Sequence, residues 1–154
     1  IESVRDKVDV VIVSMHWGEE YTHEPTYSQK REAEYLSSLG VDLIIGAHPH
    51  VVQDTAAVRG IPVIYSLGNA VSNMSAANTQ LELMVTLRIV RHGNGDIQML
   101  VPELTWLWCS RPGGYTDDYA VIPVEEHIGR RDEWKGGWEY DKMVSTYERV
   151  RNNN

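Results

Sequence analysis

Apolar residues fall along this chain in two kinds of pattern. Asp9–Met15 and Val41–Ile45 carry short apolar runs rich in β-branched residues, the signature of strands buried on both faces. Between them Ala33, Leu36 and Leu39 recur at helical spacing, with Ser28 as a candidate N-cap and Gly40 as the C-terminal stop. Strand, helix and strand in that order predict a parallel β-α-β unit whose strand ends share one edge. From Val51 the spacing changes from helix-and-strand to strand-and-strand. Val51–Val58, the turn Arg59-Gly60 and Ile61–Leu67 read as a hairpin, with Pro62 near a strand start, where its missing donor is tolerated. Leu81, Leu83, Val85, Leu87 and Ile89 alternate with mostly polar residues, which predicts a half-buried strand. Gly93-Asn94-Gly95-Asp96 returns it into Ile97–Val101, and Leu104–Trp108 extends that partner past Pro102, giving an antiparallel meander. Ser110–Tyr115 is loop by composition, and Ala120–Val124 is a short edge strand. Met143, Val144, Tyr147 and Val150 mark a C-terminal amphipathic helix running from Trp138 to the asparagine tail. Glu2–Lys7 reads as the tail of a helix feeding the first strand. The fold class is α/β, in a single domain over residues 1–154, with no internal repeat.

Composition narrows the function classes. At 154 residues the chain can bury roughly 68–70% of its extended surface, enough for a real core. A net charge of −8 argues against nucleic acid or an anionic membrane as a partner held by bulk attraction. No stretch approaches the ~20 apolar residues of a membrane span, and no secretory signal pattern is read in this segment. A single cysteine, Cys109, excludes an internal disulfide. The chain begins at Ile1 and reaches a strand within ten residues, so the expectation is a fragment that enters a longer fold midway.

The candidate chemistry lies at the two strand ends. The second strand runs into Gly46-Ala47-His48-Pro49-His50 and the first into His16-Trp17-Gly18. Pro49 fixes its own φ and drives His48 out of the helical region, so the turn is stiff. If the strands are parallel neighbours, three imidazoles meet at one rim. Imidazole is the commonest ligand of Zn, Mn, Fe and Ni, so His16, His48 and His50 are the candidate metal ligands. The alternative is ordinary loop histidines, since a lone H-x-H motif is weak.

Read in order, these pieces resemble the CapA family, poly-γ-glutamate capsule synthesis proteins whose domain looks like a calcineurin-type metallophosphoesterase. The matching residues are Asp9–Ser14 with His16-Trp17-Gly18 and Glu20, then Pro25, Gln29, Gly40-Val41-Asp42, Gly46–His50 and Ile64-Tyr65-Ser66-Leu67-Gly68-Asn69. The resemblance implies part of an αββα sandwich, the C-terminal part of such a domain with its N-terminal half absent from this segment. It also implies a divalent metal (Mn, Fe or Zn), two in the full-length protein, with His16 and His48 on one ion and His50 on the other. Two ions about 3.5–4 Å apart would clamp a phosphoryl oxygen and activate a bridging water. The general acid is expected in the missing N-terminal part, so no catalytic residue is assigned here and the fragment alone is expected to be inactive. The implied activity of the full-length protein is metal-dependent phosphoesterase-like hydrolysis in capsule polymer metabolism, at an extracytoplasmic cell envelope. The implied partners are an anionic envelope polymer or a phosphoester substrate. Ala70 departs from the family, which has phenylalanine there.

Around this core, Trp17, Glu20 and Asn69 are candidates for substrate binding or for orienting the histidines. Glu19 and Glu20 are sequence neighbours, which on extended backbone point to opposite faces; a paired acid/base role is therefore disfavoured. Trp106, Trp108 and Tyr115 are read as packing, and His23, His92 and His127 as solvated side chains. A rival reading is a non-catalytic envelope module that binds or guides an acidic capsule polymer. At net charge −8 it needs a metal bridge or a basic patch, and Arg111, Arg130 and Arg131 are the visible cluster.

Overall fold

The parallel unit forms within about three residues of the pattern. The computed structural model describes residues 1–152. After a short helix, α1 (Glu2–Arg5), come β1 (Ile12–His16), α2 (Tyr27–Ser38) and β2 (Leu43–Ala47), with β1 and β2 parallel and His16 level with Ala47. Helix α2 starts two residues earlier than expected, because Thr26 and not Ser28 is the cap. The Thr26 hydroxyl accepts from the Gln29 amide at 3.2 Å and the Gln29 side chain accepts from the Thr26 amide at 2.9 Å, a reciprocal capping box. The hairpin follows as β3 (Thr55–Val58) and β4 (Ile61–Ile64), and β4 also pairs parallel with β2, so the first sheet runs β1-β2-β4-β3.

One expectation about β1 fails. It lies at the edge of the sheet and its positions alternate between exposed and half-buried, with Ile12 42% exposed. An apolar run cannot distinguish a strand covered on two faces from one covered on a single face; Val13 and Met15 face inward and Ile12 does not.

The meander also differs from its prediction. The partner of β5 (Leu81–Thr86) is β8 (Glu103–Ser110), whereas β6 (Ile89–Arg91) and β7 (Ile97–Met99) pair only with each other. The ribbon breaks at Leu87-Arg88 and again before Glu103, dividing the expected single hairpin into two registers. The edge strand appears as β9 (Ala120–Pro123), in the order β5-β8-β9, followed by α3 (Val124–His127) and α4 (Gly137–Arg151). Asn153 and Asn154 of the expected tail lie outside the described residues.

Three apolar clusters join these parts. Ala33 of α2 packs on Val41, Ile44, Val63 and Tyr65, covering one face of the first sheet. Its other face meets the second sheet through Leu43, Ile64, Val52 and Leu83. Met143, Tyr147 and Val150 of α4 cover Leu81, Trp108 and Ile122 of the second sheet. The result is a mixed α/β architecture consistent with part of a metallophosphoesterase-like fold. No helix among the described residues is long and apolar enough to cross a membrane.

Candidate metal centre

Parallel pairing of β1 with β2 brings the histidines of two distant segments together. The rings of His16 and His48 lie 4.6 Å apart between centroids, and those of His48 and His50 6.2 Å apart. Backbone bonds hold the two loops against each other: Trp17 N–H donates to the Ala47 carbonyl at 3.1 Å and Tyr21 N–H to the Pro49 carbonyl at 2.8 Å. The rim is strained. Among the described residues five non-glycine residues have positive φ, and three of them, Tyr21 (62°), His48 (103°) and His50 (59°), are here. Such conformations cost roughly 1–3 kcal/mol each and persist where surrounding contacts over-determine them, commonly at functional sites.

His50 is the best-determined of the three. Its Nδ1 is 2.7 Å from Asn69 Oδ1, while Asn69 Nδ2 donates to the carbonyls of His50 and Thr79, both at 3.1 Å. Because the Asn69 amide nitrogen is committed as a donor, its oxygen must accept, so the proton of neutral His50 sits on Nδ1. Nε2 is then left with a free lone pair, 3.8 Å from Glu20 Oε1. A histidine that donates its other N–H to a fixed acceptor is the usual support for a metal ligand.

The donors therefore suit a divalent transition ion in kind, but they fall short in number. Among the described residues no three His, Cys, Asp or Glu side chains stand ready to hold a metal ion together. The expected convergence is one of neighbouring imidazoles, and a complete coordination shell would need ligands from beyond this set.

Trp17 does not serve the rim as a binding platform. It is only 6% exposed, its indole N–H donates to the Tyr65 carbonyl at 2.8 Å, and it stacks on the Tyr65 ring at 5.8 Å. This explains Gly46: a Cβ there would sit 2.4 Å from the Trp17 indole nitrogen and 2.0 Å from the Tyr65 carbonyl. Trp17 is a strut that ties the first loop to β4 and its extension.

Other residues hold the loop in ways the pattern did not reveal. Gln53, fully buried, accepts from the Gln29 amide at 2.7 Å and donates to the Thr22 carbonyl at 2.8 Å. His23, expected to be solvated, is half-buried. Its Nδ1 lies 3.1 Å from the Val52 carbonyl and its Nε2 2.6 Å from Asn78 Nδ2, and Asn78 is in turn bonded by Arg149 of α4. His127 is likewise engaged, 2.8 Å from the Pro123 carbonyl and edge-on to Tyr115, and of these three histidines His92 alone is exposed. A polar residue between two turns gives no sign of a long-range partner, so its composition suggested solvent. The expected basic cluster is also dispersed: Arg111 bonds the Met74 carbonyl, Arg130 faces Glu133 at 3.8 Å, and Arg131 grips Asp141 through two bonds of 2.9 Å.

Residues 1–74 match the family described as bacterial capsule synthesis protein PGA_cap. This segment resembles the CapA family. The chain is also 32% identical over 99 residues to the PGA biosynthesis protein CapA of Bacillus subtilis, covering 64% of this chain and 26% of that protein. The capsule biosynthesis protein CapA of Bacillus anthracis is 31% identical over 96 residues, 62% of this chain and 23% of its own length. These matches span about a quarter of each of these curated relatives, and the family match over residues 1–74 includes the whole histidine rim.

Proposed function

We propose that this chain is part of a capsule-synthesis protein acting on poly-γ-glutamate or its precursors at the cell envelope. In this reading the histidine rim forms one side of a divalent metal centre for phosphoester-type hydrolysis. The observation that carries it is the convergence of His16, His48 and His50 on one strained edge, with Asn69 fixing the tautomer of His50. The similarity to the CapA proteins of Bacillus subtilis and Bacillus anthracis supplies the capsule context.

His16 and His48 would give two ligands to one ion and His50 one ligand to a second, with Glu20 nearby and the remaining ligands supplied from elsewhere in the full-length protein. A divalent ion bound there supplies Lewis acidity and a water of lowered pKa. The chain's own residues perform the positioning. Asn69 keeps the proton on His50 Nδ1, the Tyr21–Pro49 bond holds the first loop over the second, and Trp17 anchors that loop to the sheet. The general acid is assigned outside these residues.

The test is metal content by mass spectrometry and a phosphomonoester and phosphodiester panel on the full-length protein, beside its His48→Ala variant. Bound Mn, Fe or Zn with turnover, both lost in the variant, is the expected outcome. Equal metal content and equal turnover in the two proteins would overturn the reading. Turnover of no substrate, with capsule polymer bound as tightly in chelator as without it, would favour a module that guides the polymer without cleaving it.

A further inference from the structure

The turn that closes the first loop over the rim carries a residue its backbone does not call for. Thr22 N–H donates to the Glu19 carbonyl at 3.4 Å, so Glu20 and Tyr21 are the central residues of a β-turn. Tyr21 occupies the second central position with φ of 62°, where glycine or asparagine fits without strain. An aromatic residue in that conformation is an outlier, and outliers of this kind gather at functional sites.

The fold accounts for the backbone of Tyr21 and not for its side chain. Its N–H holds the Pro49 carbonyl at 2.8 Å, a bond any residue except proline could make. Its ring belongs to none of the three apolar clusters and is 44% exposed. The side-chain bonds of this turn run from Thr22 to the Glu20 carbonyl and from Gln53 to the Thr22 carbonyl; among the described residues none engages the Tyr21 hydroxyl.

The ring stands beside the rim instead. Its centroid is 6.2 Å from that of His50, with 30° between the planes. Glu20 approaches the same imidazole, 3.8 Å from Nε2, and the side chains of His50 and Glu20 are 32% and 50% exposed. One turn therefore brings a carboxyl group and a phenol to His50, and all three are open to a molecule arriving from solvent. A carboxylate only accepts hydrogen bonds, so Glu20 suits a cation. A phenol is a neutral donor, and Tyr21 suits the anionic group that a cation at the rim would attract.

We propose that Tyr21 is a substrate-contacting residue whose hydroxyl donates a hydrogen bond to an oxygen of the phosphoryl group bound at the rim. The assignment rests on the phosphoester reading above and adds to it a contact that no metal makes.

The test compares the full-length protein, carrying its own metal, with its Tyr21→Phe variant. Because the hydroxyl bonds nothing in the protein, the variant is expected to unfold at the wild-type temperature and to hold the same metal by mass spectrometry. Inorganic phosphate, titrated by calorimetry, is expected to bind it about tenfold more weakly, the loss of one hydrogen bond to a charged acceptor. Tyr21→Asn, which suits the positive φ and keeps the Pro49 bond, binds phosphate no better than Tyr21→Phe. Equal phosphate affinity in wild type and Tyr21→Phe would overturn the proposal. So would a Tyr21→Phe variant that loses metal or unfolds at a lower temperature, since the hydroxyl would then serve the metal or the fold. Wild type that holds metal and binds no phosphate would overturn this assignment alone. Wild type that holds neither would overturn it together with the reading beneath it, and phosphate bound without metal would overturn the metal reading while Tyr21→Phe still decides the role of Tyr21.

Discussion

Two glutamates are buried in the second half of this chain, and their surroundings are opposite. Glu139 of α4 is fully buried and receives three hydrogen bonds: from the Ser110 hydroxyl at 2.6 Å, the Arg111 amide at 2.9 Å and the Gln80 side chain at 2.9 Å. Glu82, two positions along from Gln80, is equally hidden and receives none. The first carboxyl is a structural tie that joins α4 to the ends of β5 and β8. The second does nothing for the fold that an apolar residue of similar shape would not do better, and its protonation state follows from burial alone. Burial by itself is therefore uninformative about a carboxyl group; the donors around it decide whether it holds structure together or stays available for something else.

The contrast makes ordered predictions. Replacing Glu139 by Leu strands three buried donors, each costing about 1–3 kcal/mol when unsatisfied, so a loss of about 3 kcal/mol or more is expected in urea denaturation, enough to threaten folding. Glu82 should give a pH dependence of similar size and opposite character. Its carboxyl is raised from 4.5 to about 8 in the folded state, so between those values the folded chain holds a proton that the unfolded chain has released. Its contribution is fully present below about pH 4.5 and is lost as pH rises through about 8, amounting to about 5 kcal/mol across the window. Wild type should therefore lose stability relative to Glu82→Gln between pH 5 and 8; parallel curves for the two proteins would remove the contrast.

A third effect extends the comparison to the rim, where a polar group is fully satisfied as Glu139 is. Asn69→Ala frees His50 Nδ1 and removes the bonds to the carbonyls of His50 and Thr79. If the rim holds a metal, the affinity of the full-length protein should fall about 10–100-fold, measured by competition with a chelating dye. Unchanged affinity would make Asn69 a loop strut only. The smallest effect is Ser110→Ala, which removes one of the three donors to Glu139 and is expected to cost about 1 kcal/mol in the same urea experiment.

Much of the architecture was legible because it rests on local periodicity. The β-α-β unit, the Arg59-Gly60 hairpin, the edge strand at Ala120 and the C-terminal helix all emerge near their expected places. The misreadings occurred where the deciding contact is remote. The exposure of β1 depends on what lies beside it, and the pairing of β5 with β8 depends on two breaks that a hydrophobic count passes over. At the site, the closeness of the three histidines followed from parallel strand order alone. The partners of His23 and His50 lie 55 and 19 residues away, and no local signal points to them.

The sequence by itself determined which segments are strands and helices, that two of them run parallel, and that their ends carry imidazoles, since each follows from short-range spacing and chain connectivity. Only the tertiary structure decided that Trp17 is a strut, that Asn69 fixes the tautomer of His50, and that one glutamate is tied into the fold while another is buried with no hydrogen-bond partner. The reason is physical: hydrogen-bond satisfaction and desolvation are properties of the atoms that surround a group, and those atoms arrive from distant parts of the chain.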